Sequence, residues 1–208
     1  MNTIPDFTKY PICDTNIWIN LSLGDAVNHI LNKHEIILFA DVVEKEIMKF
    51  KNSQEFSSIA TNFAAYKNNG QCFVIDHQKH IDPEVCEIME LSLMNLGFEY
   101  GLKRLERDKG EYVSAIYADE FSIPFMKTDD GEFRKGNKGN NEFPELEIKT
   151  WYDITEEYID DFNERKRIRQ KTETERRRLR ISKEKYEESK KDNLTIDKLK
   201  AVFDSRRL

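Results

Sequence analysis

The feature that most constrains the fold is a regular alternation over about the first 150 residues. Five short apolar runs are separated by segments in which apolar residues recur at helical spacing. The runs occupy residues 10–13, 36–40, 72–75, 124–128 and 146–151. Strands that alternate with helices in this way usually pair in parallel, with helices covering both faces of the sheet. We therefore expect an α/β fold, a three-layer α/β/α sandwich with a mainly parallel central sheet.

Local signals predict where several helices begin. Asp82-Pro83 is typical of a helix start, with aspartate as the cap and proline in the first turn. Asp41 is expected to cap the helix after the second run. Asp108 and Glu111 have the spacing of an acidic capping box and predict another start.

Charge divides the chain into two parts. The segment from Glu164 to Lys191 holds 13 Lys and Arg against 6 Asp and Glu, whereas the rest has an excess of 13 acidic residues. We expect a domain over residues 1–162 and a basic, mostly helical C-terminal extension over residues 163–208. Ile154, Tyr158 and Phe162 recur at four-residue spacing and predict a helix that runs into this extension.

A basic extension on an acidic domain often contacts nucleic acid or an acidic partner. The alternative interpretation is that the charged residues form a solvated helix face. The candidate nucleic-acid-binding residues lie in the extension and in a glycine-rich loop after the fourth run: Arg176, Arg177, Arg178 and Arg180, and Arg134, Lys135 and Lys138. Apolar residues return between residues 194 and 203. That patch is suited to dock on the body, on a protein partner or on a second copy.

The chain carries no sign of export or membrane insertion. Its three cysteines have no metal-binding spacing and are typical of free thiols in a reducing compartment. The N-terminus lacks the apolar stretch of a signal peptide, and no apolar run approaches about 20 residues. We expect a cytoplasmic protein that makes no contact with a membrane.

Acidic residues follow the predicted strands at points where ligands usually bind. Asp14 ends the first run, and Asp129 and Asp130 end the fourth. In parallel α/β sheets the ligand crevice lies beyond the carboxyl ends of the strands, where the strand order reverses. Glu111, beside Gly110 in the first turn of a helix with small inward residues, can reach the same edge. Glu46, on the helix after the second strand, is the fourth candidate.

Clustered carboxylates repel one another, and a divalent cation removes that penalty. A site made of oxygen ligands, without histidine or cysteine, favours Mg²⁺ or Mn²⁺. Such ions are used in phosphate chemistry, where one activates water and a second stabilises the leaving oxygen.

Each acid also has a purely structural interpretation. Asp14 is suited to cap the helix that follows it, and Asp108 and Glu111 to form two halves of a cap. Only one of Glu44 and Glu46 can point inward, and we favour Glu46. Of Asp129 and Asp130 we favour Asp130, with its neighbour available to cap a turn.

Four short motifs resemble those of PIN-domain nucleases, in the order found in that family. They are spread over roughly residues 10–155, so the resemblance covers about three-quarters of the chain: Ile12-Cys-Asp14-Thr15-Asn16-Ile17-Trp18-Ile19, Val42-Val43-Glu44-Lys45-Glu46-Ile47, Asp108-Lys-Gly-Glu111 through Ala118, and Thr128-Asp129-Asp130. Each motif is weak alone, but four in order form a fairly specific signal.

The resemblance implies an α/β/α sandwich and Mg²⁺- or Mn²⁺-dependent cleavage of a phosphodiester, most often in RNA. By matching position, the metal-binding acids would be Asp14, Glu46, Glu111 and Asp130, with Asp129 as a further ligand candidate. Thr15 or Asn16 would hydrogen-bond within the site, and Asp108 and Thr128 belong to matching motifs. Many small members of the family are toxins held by an antitoxin, and the long basic extension departs from that compact pattern.

Other functions fit parts of the sequence. A non-catalytic PIN-like module that binds RNA or protein would use the fold and the basic arm, and a DNA-directed nuclease would use the same acids. A haloacid-dehalogenase phosphatase also begins with an aspartate at the end of a strand. It needs a second aspartate two residues later, where this sequence has Asn16. His77 and His80 have a metal-like spacing, but without a further ligand nearby we interpret them as part of a surface loop.

Overall fold

A five-stranded sheet forms the centre of the molecule. The computed structural model describes residues 4–102, 104, 106, 108–123, 125–128, 133 and 138–205, and of residues 138, 140 and 190–205 it describes the backbone alone. The strands coincide with the five apolar runs: β1 (Ile12–Cys13), β2 (Ile37–Ala40), β3 (Cys72–Ile75), β4 (Phe125–Lys127) and β5 (Glu147–Lys149).

All strand pairs in this sheet are parallel, and the strand order is β3-β2-β1-β4-β5. The chain builds one side of the sheet from β1 through β2 to β3, then crosses to β4 on the other side of β1. The strand order therefore reverses between β1 and β4, where Ile12 pairs with Met126 and Cys13 with Lys127. A crevice at the carboxyl ends of these two strands is the expected ligand position in such a sheet.

Helices cover both faces of the sheet. Every residue of β1 and β2 is fully buried, which requires packing against both surfaces of these strands. The predicted α/β/α sandwich with a parallel sheet is confirmed.

The described part of the chain has ten helices around the sheet, in addition to two short 3₁₀ turns at Phe7–Lys9 and Lys49–Asn52. Over the described residues they are α1 (Thr15–Gly24), α2 (Val27–His34), α3 (Asp41–Met48), α4 (Ser58–Asn68), α5 (His77–His80), α6 (Pro83–Asn95), α7 (Lys109–Glu120), α8 (Lys138–Glu142), α9 (Trp151–Tyr158) and α10 (Phe162–Ser205).

One of the predicted helix caps is confirmed and two are wrong. Asp82 caps α6 by accepting from the Glu84 backbone N–H at 2.9 Å, as expected. Asp41 was predicted to cap α3, but it is the first helical residue and Ala40 precedes it in extended conformation. The capping box at Asp108 is wrong, because Asp108 has φ 57° and makes no capping hydrogen bond. An N-cap requires an extended backbone, which the left-handed conformation does not provide.

The helix expected to run through Phe162 is broken in two. Thr150 and Asp153 form a reciprocal capping box that starts α9 at Trp151, and α9 ends at Tyr158. Tyr158 is buried, whereas Phe162 begins α10 and is 69% exposed. The four-residue spacing therefore does not describe a single apolar face.

One stripe of α10 packs against α1. Ile168, Thr172 and Leu179 are buried although most of this 44-residue helix is exposed. Gly24 permits the close approach, because a Cβ atom there would lie 2.6 Å from Thr172 Oγ1. The basic extension is helical as predicted, and the boundary at residue 162 stays a prediction.

Among the described residues, no helix combines the length and apolar character needed to cross a bilayer.

Replacing Ile168 by alanine is expected to lower the free energy of unfolding by about 2–5 kcal/mol, because it leaves a cavity between α10 and α1. Urea unfolding followed by circular dichroism measures this change. The matched control is Ile181→Ala on the same helix, where the side chain is 42% exposed and the change should stay within about 0.5 kcal/mol. Equal effects of the two substitutions would contradict the packing of α10 on the body.

Candidate functional site

Asp14 lies at the reversal point between β1 and β4 and is completely buried. Its Oδ1 accepts from the Ile17 backbone N–H at 2.7 Å, which caps α1. Its Oδ2 accepts from Thr128 Oγ1 at 2.7 Å, directly after β4. The helix-capping interpretation of Asp14 is thus confirmed, and the same carboxylate lies where the strand order reverses, so a role in the site stays a prediction.

Thr15 joins the same turn to α3. Its hydroxyl donates a short hydrogen bond to Oε2 of Glu46. Glu46 is the inward-pointing acid of its pair, because Glu44 instead forms an ion pair with Lys67 at 2.5 Å. The preference for Glu46 over Glu44 therefore agrees with the packing.

Burial raises the pKa of Glu46 above its ordinary value, and the charge of Asp108 raises it further. The Thr15 hydrogen bond and the charge of Lys49 act in the opposite direction. An added positive charge nearby would lower the pKa of Glu46 and stabilise its ionised form.

Asn16 joins the turn to α7 and to the C-terminal extension. Its Nδ2 donates to Oε1 of Glu111 at 3.4 Å, and its Oδ1 accepts from both terminal nitrogens of Arg176 at 3.4 Å. These are long hydrogen bonds. Glu111 lies in the first turn of α7, as predicted, and is buried.

Gly110 explains how α7 comes close enough to take part. A Cβ atom at Gly110 would lie 2.9 Å from Glu46 Oε2 and 3.3 Å from Val43 Cγ2. As the sequence predicted, α7 lies close to the sheet, where it packs on β1, β2 and β4. Gly110 itself lies against α3, so it also lets the helices that carry Glu46 and Glu111 approach each other.

Three consecutive residues thus connect the three elements that carry the other predicted groups. Asp14 contacts Thr128 after β4, Thr15 contacts Glu46 of α3, and Asn16 contacts Glu111 of α7. Asp108 is close enough to influence Glu46 electrostatically. The predicted residues that lie outside the described part of the chain are Asp129, Asp130, Arg134 and Lys135, together with the side chain of Lys138.

The donors at this turn are chemically suited to a hard cation. They are carboxylate, hydroxyl and amide oxygens, which Mg²⁺ and Mn²⁺ prefer. The carboxylates of Asp14, Glu46 and Glu111 are nevertheless not all within 4.8 Å of one another. Thr15 and Asn16 lie between them, so a bound ion would have to draw the acids together or use water as part of its shell.

A second polar cluster was missed from the sequence. Asp41, Asp76 and His77 bring potential ligand atoms within 4.8 Å of one another, and among the described residues they are the group that does so. Asp41 forms a short contact with His77 Nδ1 and accepts from Tyr117 OH at 3.1 Å and from the Val42 N–H at 2.8 Å.

The expectation of a surface loop is therefore wrong for His77, which is 9% exposed. Asp41 and Asp76 directly follow β2 and β3, so the rule that singled out Asp14 would also have found them. Since protein donors already engage Asp41, the cluster is well explained as a hydrogen-bonded support beneath α3 and α7.

The predicted basic residues separate into two groups. Arg176, Arg177 and Arg180 line a depression that also includes Asn16. Arg178 instead forms an ion pair with Glu175 at 2.9 Å, within α10.

Replacing Glu46 by glutamine is expected to raise the free energy of unfolding at neutral pH. Because the pKa of Glu46 is raised on folding, the folded state binds this proton more tightly than the unfolded chain. The ionised carboxylate therefore destabilises the protein above its folded pKa, and this cost vanishes below the unfolded value of roughly 4.3. The advantage of Glu46→Gln should shrink as the pH falls, which urea unfolding at several pH values measures.

The matched control is Glu44→Gln on the same helix. It removes a partly exposed ion pair and should cost no more than about 1 kcal/mol at neutral pH. If Glu46→Gln instead lowers the free energy of unfolding at neutral pH, the ionised Glu46 carboxylate does not destabilise the folded protein and this interpretation is wrong.

Comparison of the sequence with family models and with curated proteins finds no match. Among solved structures, the toxin VapC20 of Mycobacterium tuberculosis, described as cleaving the sarcin-ricin loop, is similar with a TM-score of 0.43. The two are 16% identical, over 61% of this chain and 94% of that one. VapBC2 of Rickettsia felis, described as bound to a DNA fragment from its promoter, has a TM-score of 0.42 and 13% identity, over 68% of this chain and 98% of that one.

At this level the likeness concerns the fold alone. The α/β/α architecture implied by the PIN resemblance is confirmed by the parallel sheet itself.

Proposed function

We propose that the chain is a metal-dependent nuclease that hydrolyses phosphodiester bonds in RNA. The observation that carries the proposal is the turn at residues 14–16, whose side chains contact Thr128, Glu46 and Glu111 from three separate elements. A purely structural turn needs the helix cap of Asp14, but it does not need two further acids brought to the same place.

In this proposal Asp14, Glu46 and Glu111, together with Asp130, hold Mg²⁺ or Mn²⁺, with Asp129 as a further ligand. When bound, such an ion supplies charge stabilisation at the phosphate and lowers the pKa of water. Thr128 and the Ile17 N–H fix the orientation of Asp14, while Thr15 and Asn16 hold the two glutamates in place. Arg176 adds a positive charge beside Asn16, where a substrate phosphate would lie.

The electrostatics of Glu46 support a cation at this turn. The pKa of Glu46 stays raised although Thr15 and Lys49 act to lower it, so a cation beside this carboxylate would be stabilising. Perturbed acids of this kind cluster at functional sites. The extension would then serve substrate binding, and its exposed face is available to a protein partner such as an antitoxin.

A cleavage assay tests the proposal. Labelled RNA and labelled DNA are incubated with the protein in Mg²⁺, Mn²⁺ or EDTA. We expect RNA cleavage with either ion and none in EDTA. Asp14→Asn should reduce the rate by at least about 100-fold, because losing even an indirect support of a metal site costs 10–100-fold. Asparagine retains the acceptor for the Ile17 N–H, so the variant should fold.

The matched control is Asp76→Asn, which alters the second cluster and should leave cleavage within about twofold of the parent. Binding of RNA without cleavage under every condition would favour the non-catalytic module. If the protein cleaves DNA and not RNA, the proposed RNA substrate is wrong and DNA takes its place. Equal losses in Asp14→Asn and Asp76→Asn would contradict the assignment of the site.

A further inference from the structure

Two depressions adjoin one another along α10. The first, of about 470 Å³, lies between α10 and the Trp151–Tyr152 start of α9. The second, of about 450 Å³, lies between α10 and the start of α1. Glu173 and Arg176 line both, so the two depressions are neighbours along the helix, and we call them together the α10 groove.

The α10 groove is strongly basic. Its first half is lined by Arg165, Lys166, Arg169 and Arg176. Its second half adds Arg177, Arg180 and Lys183. Glu173 is the single acid among the described residues that line it. On a chain with a net charge of −6, this concentration of positive charge along one helix marks a surface for a polyanion.

The positive charge is only partly neutralised within the protein. Arg165 and Arg169 are paired with Glu156 at 2.6 and 2.7 Å. Burial lowers the pKa of Lys183, and the nearby charge of Arg176 lowers it further. An anion bound between Arg176 and Lys183 would relieve this repulsion.

The end of the groove farthest from Asn16 carries two exposed aromatic rings. Tyr152 is 65% exposed and Phe162 is 69% exposed. The Arg169 guanidinium lies 4.6 Å from the Tyr152 ring centroid and donates to the Tyr152 carbonyl at 3.1 Å. Arg169 therefore covers one face of the ring, while most of the Tyr152 side chain stays exposed. Exposed rings beside a basic channel are typical of surfaces on which unpaired bases stack.

The middle of the groove, where the two depressions meet at Arg176, reaches the candidate active site. Arg176 contacts Asn16, and Asn16 contacts Glu111. The same helix therefore lines the groove and touches the turn that gathers the acids.

We propose that the α10 groove binds single-stranded RNA and leads it to the acids around Asn16. This inference rests on the proposed function and adds the form and path of its substrate. Phosphates lie along the arginines and lysines, and two bases stack on Tyr152 and Phe162. A paired duplex does not offer free base faces, so a single strand is the preferred form.

Fluorescence anisotropy with a fluorescein-labelled single-stranded RNA of about 12 nucleotides tests the path. EDTA is present so that the RNA stays intact. Tyr152→Ala and Phe162→Ala should each raise the Kd by roughly tenfold. The matched control is Tyr186→Ala on the same helix, 68% exposed and outside the lining of the groove, which should not change the Kd.

A second pair of variants tests the charges. Arg177→Ala should weaken binding and reduce the slope of log Kd against log salt by about one. Arg178→Ala, at the neighbouring position but paired with Glu175, should leave the slope unchanged. None of these substitutions changes Asp14, Glu46 or Glu111. The cleavage rate of each variant can therefore be measured separately from its RNA affinity, at saturating RNA.

The outcomes separate the two proposals. Binding that weakens in the groove variants and not in Tyr186→Ala or Arg178→Ala supports the path. Metal-dependent cleavage with equal Kd values for groove and control variants overturns the path and leaves the nuclease proposal standing. Equal affinity for a duplex of the same sequence overturns the single-stranded preference. Binding through the groove without cleavage in any metal supports the path and overturns the catalytic role.

Discussion

The architecture of this protein depends on how one buried carboxylate is held between two parallel strands. Asp14 ends β1 at the point where the strand order reverses, and it is fixed by the Ile17 N–H and by the hydroxyl of Thr128. A buried charge needs such partners, because desolvation without them would be costly. With Asp14 fixed, the next two side chains are directed towards α3 and α7. The turn therefore contacts both Glu46 and Glu111, which α3 and α7 place beside it.

A basic helix completes an otherwise acidic body. Ile168, Thr172 and Leu179 of α10 pack on α1 or near it, and Gly24 allows the two helices to approach closely. This packing fixes the exposed arginines of the helix relative to the turn at residues 14–16. Arg176 is the point of contact, since it reaches Asn16 directly. Positive groups of α10 therefore lie beside the turn that contacts the buried acids, as a site for an anionic polymer held by a cation would require.

The sequence predicted the elements well because their signals are local. All five strands lie within the apolar runs, and Asp82 caps α6 as its sequence signal predicted. Strand ends and helix faces also predicted where Asp14, Glu46 and Glu111 lie. Their roles as metal ligands stay a prediction. Asp129 and Asp130 lie outside the described residues, so their contribution stays a prediction too.

Other features depend on contacts between distant residues and left no local signal. The burial of His77 requires Asp41, which is 36 positions away in the chain. The role of Gly110 depends on its distance to α3, and the exposure of Phe162 depends on a break after Tyr158. Periodicity likewise did not reveal that a sparse stripe on α10 packs against the body. Such effects arise from tertiary packing, which overrides patterns read along a single segment.

The central claim is that the acids gathered by residues 14–16 bind a divalent cation. Anomalous X-ray diffraction from a crystal grown with Mn²⁺ measures this directly. The account predicts a peak roughly 2.1 Å from carboxylate oxygens of Asp14, Glu46 or Glu111. A peak at Asp41, Asp76 and His77 instead, or a site at the turn that stays empty in saturating Mn²⁺, would contradict it.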